Sequence, residues 1–130
     1  MKKLELRQMI REAIKEQKAL MTESTSMMWR TNIDIPEDAW RKFVAYTRKA
    51  IRFHKVKVCG SNGKGKPEFT KEYIAFNGDA SKDDDYESFV LYRVADSGSC
   101  KTGGRPYGSP IRDILKSLKK RFPDTWLDLD

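Results

Sequence analysis

The stretch that decides the fold is YESFVLYRVADSGSCKTGGRPYGSPIRDILKSLKKRF, residues 86–122. Its first part, residues 87–95, is rich in β-branched and aromatic residues and predicts an interior strand with two largely apolar faces. Its last part, residues 110–122, carries apolar side chains three or four positions apart and predicts an amphipathic helix capped by Ser109. A glycine-rich loop, residues 96–109, joins the strand to the helix.

This loop and helix hold much of the positive charge of the chain. Glycine lets the backbone approach a ligand closely, and free N–H groups at a helix N-terminus attract phosphate or carboxylate. Between Cys100 and Phe122 there is one acidic residue, Asp113. The basic residues there are Lys101, Arg105, Arg112, Lys116, Lys119, Lys120 and Arg121. Two interpretations stay open, an anion-binding site or a solvated basic face that complements the helix dipole.

Composition narrows the class of protein. A chain of 130 residues fits one domain. The net charge of +7 favours polyanionic partners, although basic charge also serves solubility. No apolar run reaches membrane-spanning length, and the N-terminus lacks the apolar core of a secretory signal. We therefore expect a cytoplasmic protein without a membrane partner.

The two cysteines, Cys59 and Cys100, are too few for a disulfide scaffold or a four-cysteine zinc site. Cys100 could act as a nucleophile only beside a base, and the single histidine, His54, lies in another predicted element. We find no paired carboxylates and no cluster of metal ligands. The sequence thus predicts no catalytic residue, no metal and no cofactor, and an enzyme is the less favoured class.

Two polar segments resemble ligand loops without matching them. Residues 60–67 read GSNGKGKP, but Pro67 replaces the Ser or Thr of a P-loop, and a strand is expected next instead of a helix. The acidic segment 79–87 lacks the spacing of an EF-hand. We interpret the first as a flexible basic hairpin loop and the second as a solvated acidic one.

The order of elements predicts an α+β fold: a mainly antiparallel three- to four-stranded sheet with two packed helices and an additional N-terminal helix. Residues 1–21 form that amphipathic helix, which docks on the domain or on a second copy. Residues 22–33 form a linker, within which Met27-Met28-Trp29 packs on the core, starts an edge strand or binds a partner. A single domain spans residues 34–130. In it, residues 37–51 form a helix behind a capping Asp34, and Asn77-Gly78 forms a turn. Residues 53–58 and 72–77 form strands. Residues 125–130 alternate and could form a final strand, and parallel pairing beside residues 87–95 would make a β-loop-α-β unit.

Two segments resemble phage proteins. KKLELRQMIREAI, residues 2–14, resembles the N-terminal helix of small, uncharacterised proteins encoded by tailed phages. Cys100-Lys101-Thr102, followed by Pro106-Tyr107, Ile111 and Leu115, resembles a strand-to-helix motif in small phage and bacterial proteins of unknown function. That motif usually has Asp after the Tyr, where this chain has Gly108. The resemblance implies a phage-encoded accessory protein in the cytoplasm of a host cell, and it brings no established activity.

Two functions are consistent with these features. The first is non-catalytic binding of nucleic acid or another polyanion, in which phosphate contacts would dominate. It would use Lys64, Lys66, Lys101, Arg105, Tyr107, Arg112 and Lys116, with the Tyr107 ring as a stacking surface. The alternative is a protein-binding module, such as a host-factor inhibitor or a virion component. It would use Ile10, Ile14, Met28 and Trp29, and the N-terminal helix could also join two copies of the chain.

Overall fold

The computed structural model describes residues 26–129. The predicted N-terminal helix, with Ile10 and Ile14, lies outside this range. The described strands are β1 Ser26–Arg30, β2 Val58–Cys59, β3 Glu68–Phe69, β4 Tyr73–Gly78, β5 Phe89–Tyr92, β6 Ser97–Lys101 and β7 Trp126–Leu129. The helices are α1 Glu37–Phe53 and α2 Gly108–Arg121, with a 3-10 helix at Ala80–Lys82.

The strands form two antiparallel sheets. In the three-stranded sheet the order is β6-β1-β7, and β1 runs antiparallel to both neighbours. The four-stranded sheet is built on β4, which pairs antiparallel with β2, β3 and β5. The prediction of an α+β fold with two packed helices and antiparallel strand pairing is thus confirmed for the described residues. The strands form two sheets, of three and four strands, where a single sheet of three to four strands was predicted.

Residues 86–122, the stretch that decides the fold, hold one strand more than expected. The strand predicted over residues 87–95 is shorter, Phe89–Tyr92, because the chain turns at Arg93. There the Arg93 N–H donates to the Glu72 carbonyl, and its guanidinium donates to the Ile35 carbonyl at 3.0 Å. Residues 97–101, predicted as part of the loop, form β6. The loop before α2 is therefore residues 102–107.

The pairing of the last strand corrects a further prediction. β7 does not run parallel beside residues 87–95; it pairs antiparallel with β1, with Trp29 opposite Leu127. Since β6 also pairs antiparallel with β1, β6 and β7 run parallel to each other on either side of it. A strand-loop-helix-strand unit does exist, but β6 begins it. The predicted linker, residues 22–33, contains β1, so the domain includes residues from Ser26 onward.

The helix boundaries also shift. α1 begins after Pro36 and continues to Phe53, which shortens the strand predicted at 53–58 to Val58–Cys59. Asp34 does not cap α1; its Oδ1 accepts the Ala95 N–H at 2.8 Å. α2 begins at Gly108, so Ser109 lies inside the helix and does not cap it.

Asn77 ties two loops to the end of β4. The predicted turn at Asn77-Gly78 is instead the last part of this strand. The buried Asn77 amide donates to the Tyr86 carbonyl at 2.9 Å and the Ser61 carbonyl at 3.3 Å, and its Oδ1 accepts the Tyr86 N–H at 3.0 Å. A buried amide with its donors and acceptor satisfied holds its partners in one geometry. Asn77 therefore fixes residues 60–67 against residues 79–88.

One hydrophobic core joins both sheets and both helices. At its centre, the ring of Phe89 on β5 lies 5.2 Å from the ring of Trp29 on β1 and 5.2 Å from that of Phe76 on β4. Gly98 on β6 makes room for the indole, because an ideal Cβ there would lie 2.5 Å from Trp29 Cζ2. The two sheets therefore meet through three aromatic rings.

We expect Gly98→Ala to lower the free energy of unfolding by roughly 1–3 kcal/mol, the usual cost of overpacking a core. The new methyl group would collide with an indole that Phe89 already confines. The measurement is urea unfolding, with Ser99→Ala as the matched control on the exposed neighbour. Equal stability of the two variants would contradict this account of the sheet junction.

Candidate functional site

A groove lies between the two helices on the surface of the domain. α1 and α2 each bury one apolar face in the common core and contact each other. Their polar faces border a groove of about 560 Å³. Its lining residues are Tyr46, Asp113, Lys116, Ser117, Lys120 and Arg121. The lining thus combines three cations, one aromatic ring and one acid.

The α1 side of this groove extends the basic and aromatic surface. On α1, Lys42 lies four residues before Tyr46. Lys49 lies three residues after it, and Phe53 seven residues after it. Side chains at these spacings share one face of a helix. All three are exposed, whereas Tyr46 is partly buried. The face of α1 that carries Tyr46 therefore holds two further cations and a second ring.

Arg121 is held in place at the end of α2. Its Nε donates to Ser117 Oγ at 3.1 Å, one helical turn earlier. Its guanidinium carbon lies 5.5 Å from the centre of the Tyr46 ring and 5.9 Å from that of Phe43. A guanidinium over aromatic rings keeps its charge and stays planar, so it can present several N–H donors to an anion.

The single acid of the groove is engaged within the domain. Asp113 Oδ2 lies 2.5 Å from Nε2 of His54, which follows the last residue of α1. This contact joins the C-terminal end of α1 to α2. The one acid of the lining therefore contacts His54, and the charged residues of the rest of the lining are three cations.

Of the predicted anion-binding residues, Lys116 lines the groove. Arg112, one turn earlier on α2, is partly buried and already interacts within the domain. Sequence reasoning did not assemble Tyr46, Lys120 and Arg121 into a site, although the polar faces of both helices are visibly basic. The missing information was that these two faces border the same groove.

Lys64 and Lys66 lie on an ordered loop on another part of the domain. Residues 60–67 are not a free hairpin: the Gly60 N–H donates to the Lys64 carbonyl, and the Ala80 N–H donates to the Gly63 carbonyl at 3.0 Å. Both lysine side chains are exposed. The contact with Ala80 brings this loop beside the acidic segment 79–87.

Residues 102–107 also meet the acidic segment. Arg105 donates to the Gly103 carbonyl at 2.7 Å, and its guanidinium carbon lies 5.2 Å from the centre of the Tyr86 ring. Lys101 is exposed, but its N–H donates to the Glu87 carboxylate at 2.9 Å. The cations predicted around the glycine-rich loops therefore lie beside the acidic segment, in which Glu87 accepts the Lys101 N–H and Asp85 lies next to Gly63.

One acid of that segment is buried. Asp79 is 4 % exposed, and its carboxylate accepts the Ser81 hydroxyl at 2.7 Å and lies 3.2 Å from Lys57 Nζ. The hydrogen bond from Ser81, together with Lys57, lowers the pKa of Asp79. This carboxylate begins the 3-10 helix at Ala80–Lys82, because it also accepts the Ser81 N–H. The segment is thus partly structural instead of wholly solvated.

Tyr107 cannot serve as a stacking surface. Its ring is fully buried, and its hydroxyl donates to the Glu87 carbonyl at 2.6 Å. Burial raises its pKa, as do the neighbouring Cys100 and Glu87. The exposed ring in this region is Tyr86, on which Arg105 stacks. The stacking role predicted for Tyr107 is therefore wrong, since this side chain supports the loop from inside.

Cys100 lies in the same buried cluster. Its thiol is fully buried and lies 3.4 Å from the Glu87 carbonyl. Burial, and then the charge of Glu87, raises the pKa of Cys100 to about 12. A thiol without thiolate character or access is inert. The described residues bring no histidine to Cys100, because His54 contacts Asp113 and Phe53.

The predicted partner-binding residues separate onto two sides of β1. Trp29 is 3 % exposed and belongs to the core, so it is unavailable to a partner. Met28 points the other way and is exposed, as is Trp126 on β7. Met28 lies opposite Ser99 and Asp128 on the neighbouring strands. The open face of the three-stranded sheet thus carries two exposed apolar side chains.

Residues 26–129 contain neither a cluster of metal ligands nor a membrane-spanning helix. No group of three or more His, Cys, Asp or Glu side chains there could hold a metal ion. No helix within the same range has the length and apolar character needed to cross a membrane.

Comparison of the chain with protein-family models, with curated proteins and with solved structures found no match. The resemblance to small phage proteins therefore stays a prediction, and the site has to be interpreted from its own chemistry.

We expect Cys100 to resist thiol reagents at pH 8 in the folded protein. At a pKa of about 12, only about one thiol in ten thousand is ionised at that pH. Because the folded pKa is raised, the neutral thiol stabilises the fold below pH 9, and this contribution is lost as the pH rises towards 12. The measurement is the rate at which a thiol reagent labels Cys100 in the Cys59→Ala variant, compared between the native and the urea-unfolded protein. Equal rates in both states would contradict the burial of Cys100.

Proposed function

We propose that this domain is a non-catalytic binding module for nucleic acid or another polyanion, and that the groove between α1 and α2 receives the ligand. The observation that carries the proposal is the position of Lys116, Lys120 and Arg121 around Tyr46. Cations that line one groove neutralise successive phosphates and release their counterions, which favours binding at low salt.

The glycine-rich loops support this function less well. The loop cations Lys64, Lys66, Lys101 and Arg105 lie beside the acidic segment, as described above. Carboxylates near a phosphate site oppose binding by repulsion. The groove has a single acid, and that acid contacts His54. We therefore place the main contacts in the groove and keep the loop lysines as a second, weaker surface.

The biological setting comes from the resemblance alone. The N-terminal segment and the Cys-Lys-Thr…Pro-Tyr motif resemble small tailed-phage proteins, which supports a phage-encoded accessory protein acting in the cytoplasm of its host. A net charge of +7 is compatible with this role, because a basic protein associates readily with nucleic acid.

A protein-binding function is the second candidate. Met28 and Trp126, with exposed fractions of 41 % and 48 %, lie on the open face of the three-stranded sheet. They border a groove of about 330 Å³ that Arg30 and Gly98 also line. Aromatic residues, Met and Arg are enriched at protein interfaces. A partner bound there would depend less on salt than a polyanion would.

We expect Lys116→Glu/Lys120→Glu to weaken binding of a fluorescein-labelled oligonucleotide by about tenfold or more and to flatten its salt dependence. Each lost phosphate contact should reduce the slope of log K against log[salt] by about 0.7 to 0.9. Both side chains are exposed, so the variant should keep its fold. The measurement is fluorescence anisotropy across a salt series.

The matched control is Lys64→Glu/Lys66→Glu, which makes the same change in charge on the glycine-rich loop. It should lower affinity much less than the groove variant does. Loss of binding in the loop variant with binding retained in the groove variant would move the site to residues 60–67. Absence of binding at low salt in the native chain would remove this function and leave the sheet face as the candidate site.

A further inference from the structure

Phe53, the last residue of α1, is unusually exposed. Its side chain is 80 % accessible, more than any other large hydrophobic residue in the described part of the chain. Removing the apolar surface of an exposed aromatic ring from water is favourable, so the ring gains free energy when a ligand covers it. The position of Phe53 beside the basic groove indicates what could cover it.

The ring of Phe53 is attached to the groove through His54. The two ring centres lie 5.4 Å apart and the planes meet at 88°, so the rings contact edge to face. His54 in turn contacts Asp113, which lines the groove. This chain of contacts holds the Phe53 ring beside the groove wall and leaves most of its surface in solvent.

Both helices carry cations near these contacts in the sequence. Lys49 is four residues before Phe53 and shares its face of α1, and Lys116 is one turn after Asp113 on α2. A cationic groove that follows a phosphate backbone, with an aromatic ring at its side, is the arrangement by which proteins bind single strands. The phosphates lie along the cations while a base stacks on the ring.

We propose that the α1–α2 groove binds single-stranded nucleic acid, with one base stacked on Phe53; this inference rests on the function proposed above. In a duplex, both faces of each internal base are covered by neighbouring bases. Apart from the two end pairs of a duplex, only an unpaired base can offer a face to Phe53. Phosphate contacts alone would not distinguish single from double strands, so the ring supplies the preference.

The experiment compares a labelled 12-nucleotide DNA of mixed sequence, the RNA of the same sequence, and the DNA duplex, each at constant salt. We expect both single strands to bind more tightly than the duplex. Phe53→Ala should weaken single-strand binding roughly 5- to 150-fold, the range found for removal of one stacking ring. It should leave duplex binding almost unchanged.

Two further variants separate stacking from general apolar contact. Phe53→Trp should retain single-strand binding because it keeps an aromatic face. Phe53→Leu should lose it although it keeps a large apolar side chain. Circular dichroism should show the same fold for all three variants, since the Phe53 side chain lies outside the core.

The outcomes separate this inference from the function on which it rests. Equal binding of duplex and single strands, unaffected by Phe53→Ala but weakened by Lys116→Glu/Lys120→Glu, would overturn the stacking role and leave the polyanion function in place. Equal loss in Phe53→Ala and Phe53→Trp would also overturn stacking. Absence of binding to all three ligands would overturn both.

Discussion

The rest of the structure depends on the contact of Trp29 with Phe89 and of Phe89 with Phe76. These three rings come from β1, β5 and β4, and they are the point at which the two antiparallel sheets meet. Neither small sheet could bury enough apolar surface alone, because each needs a second layer against its apolar face. Gly98 permits the junction, since any side chain at that position would collide with the Trp29 indole. Both helices complete the same core.

The candidate site is a consequence of that shared core. Each helix buries an apolar stripe, and the polar residues beside the stripe remain in solvent next to the partner helix. α2 contributes Lys116, Lys120 and Arg121 to the groove, and α1 contributes Tyr46, with Lys42 and Lys49 on the same helical face. The contact of His54 with Asp113 and the position of Arg121 over Tyr46 then fix its walls. Positive charge is concentrated between the helices, whereas the acidic segment 79–87 meets the loop cations elsewhere.

Sequence reasoning predicted regular elements better than it predicted pairing. The apolar periodicity of α1 and α2 was strong enough to place both helices within a few residues. β6 was missed because Ser97-Gly98-Ser99 has no β-branched or aromatic residue and reads as a loop. Its strand conformation comes from pairing with β1 and from the need for a small residue against Trp29. The polar glycine-rich loop around Tyr107 predicts an exposed ring, yet its hydroxyl donates a hydrogen bond to the Glu87 carbonyl inside the domain.

By itself, the sequence determined the class of fold, the two amphipathic helices and the excess of positive charge, because these properties depend on local periodicity and composition. Only the tertiary structure decided which charges act together. The loops that carry Lys64 and Lys101 lie beside the acidic segment, whereas Lys116, Lys120 and Arg121 line one groove with Tyr46. Stacking acts over a few ångströms and screened charge over roughly ten, and those distances are set by packing between segments far apart in the chain.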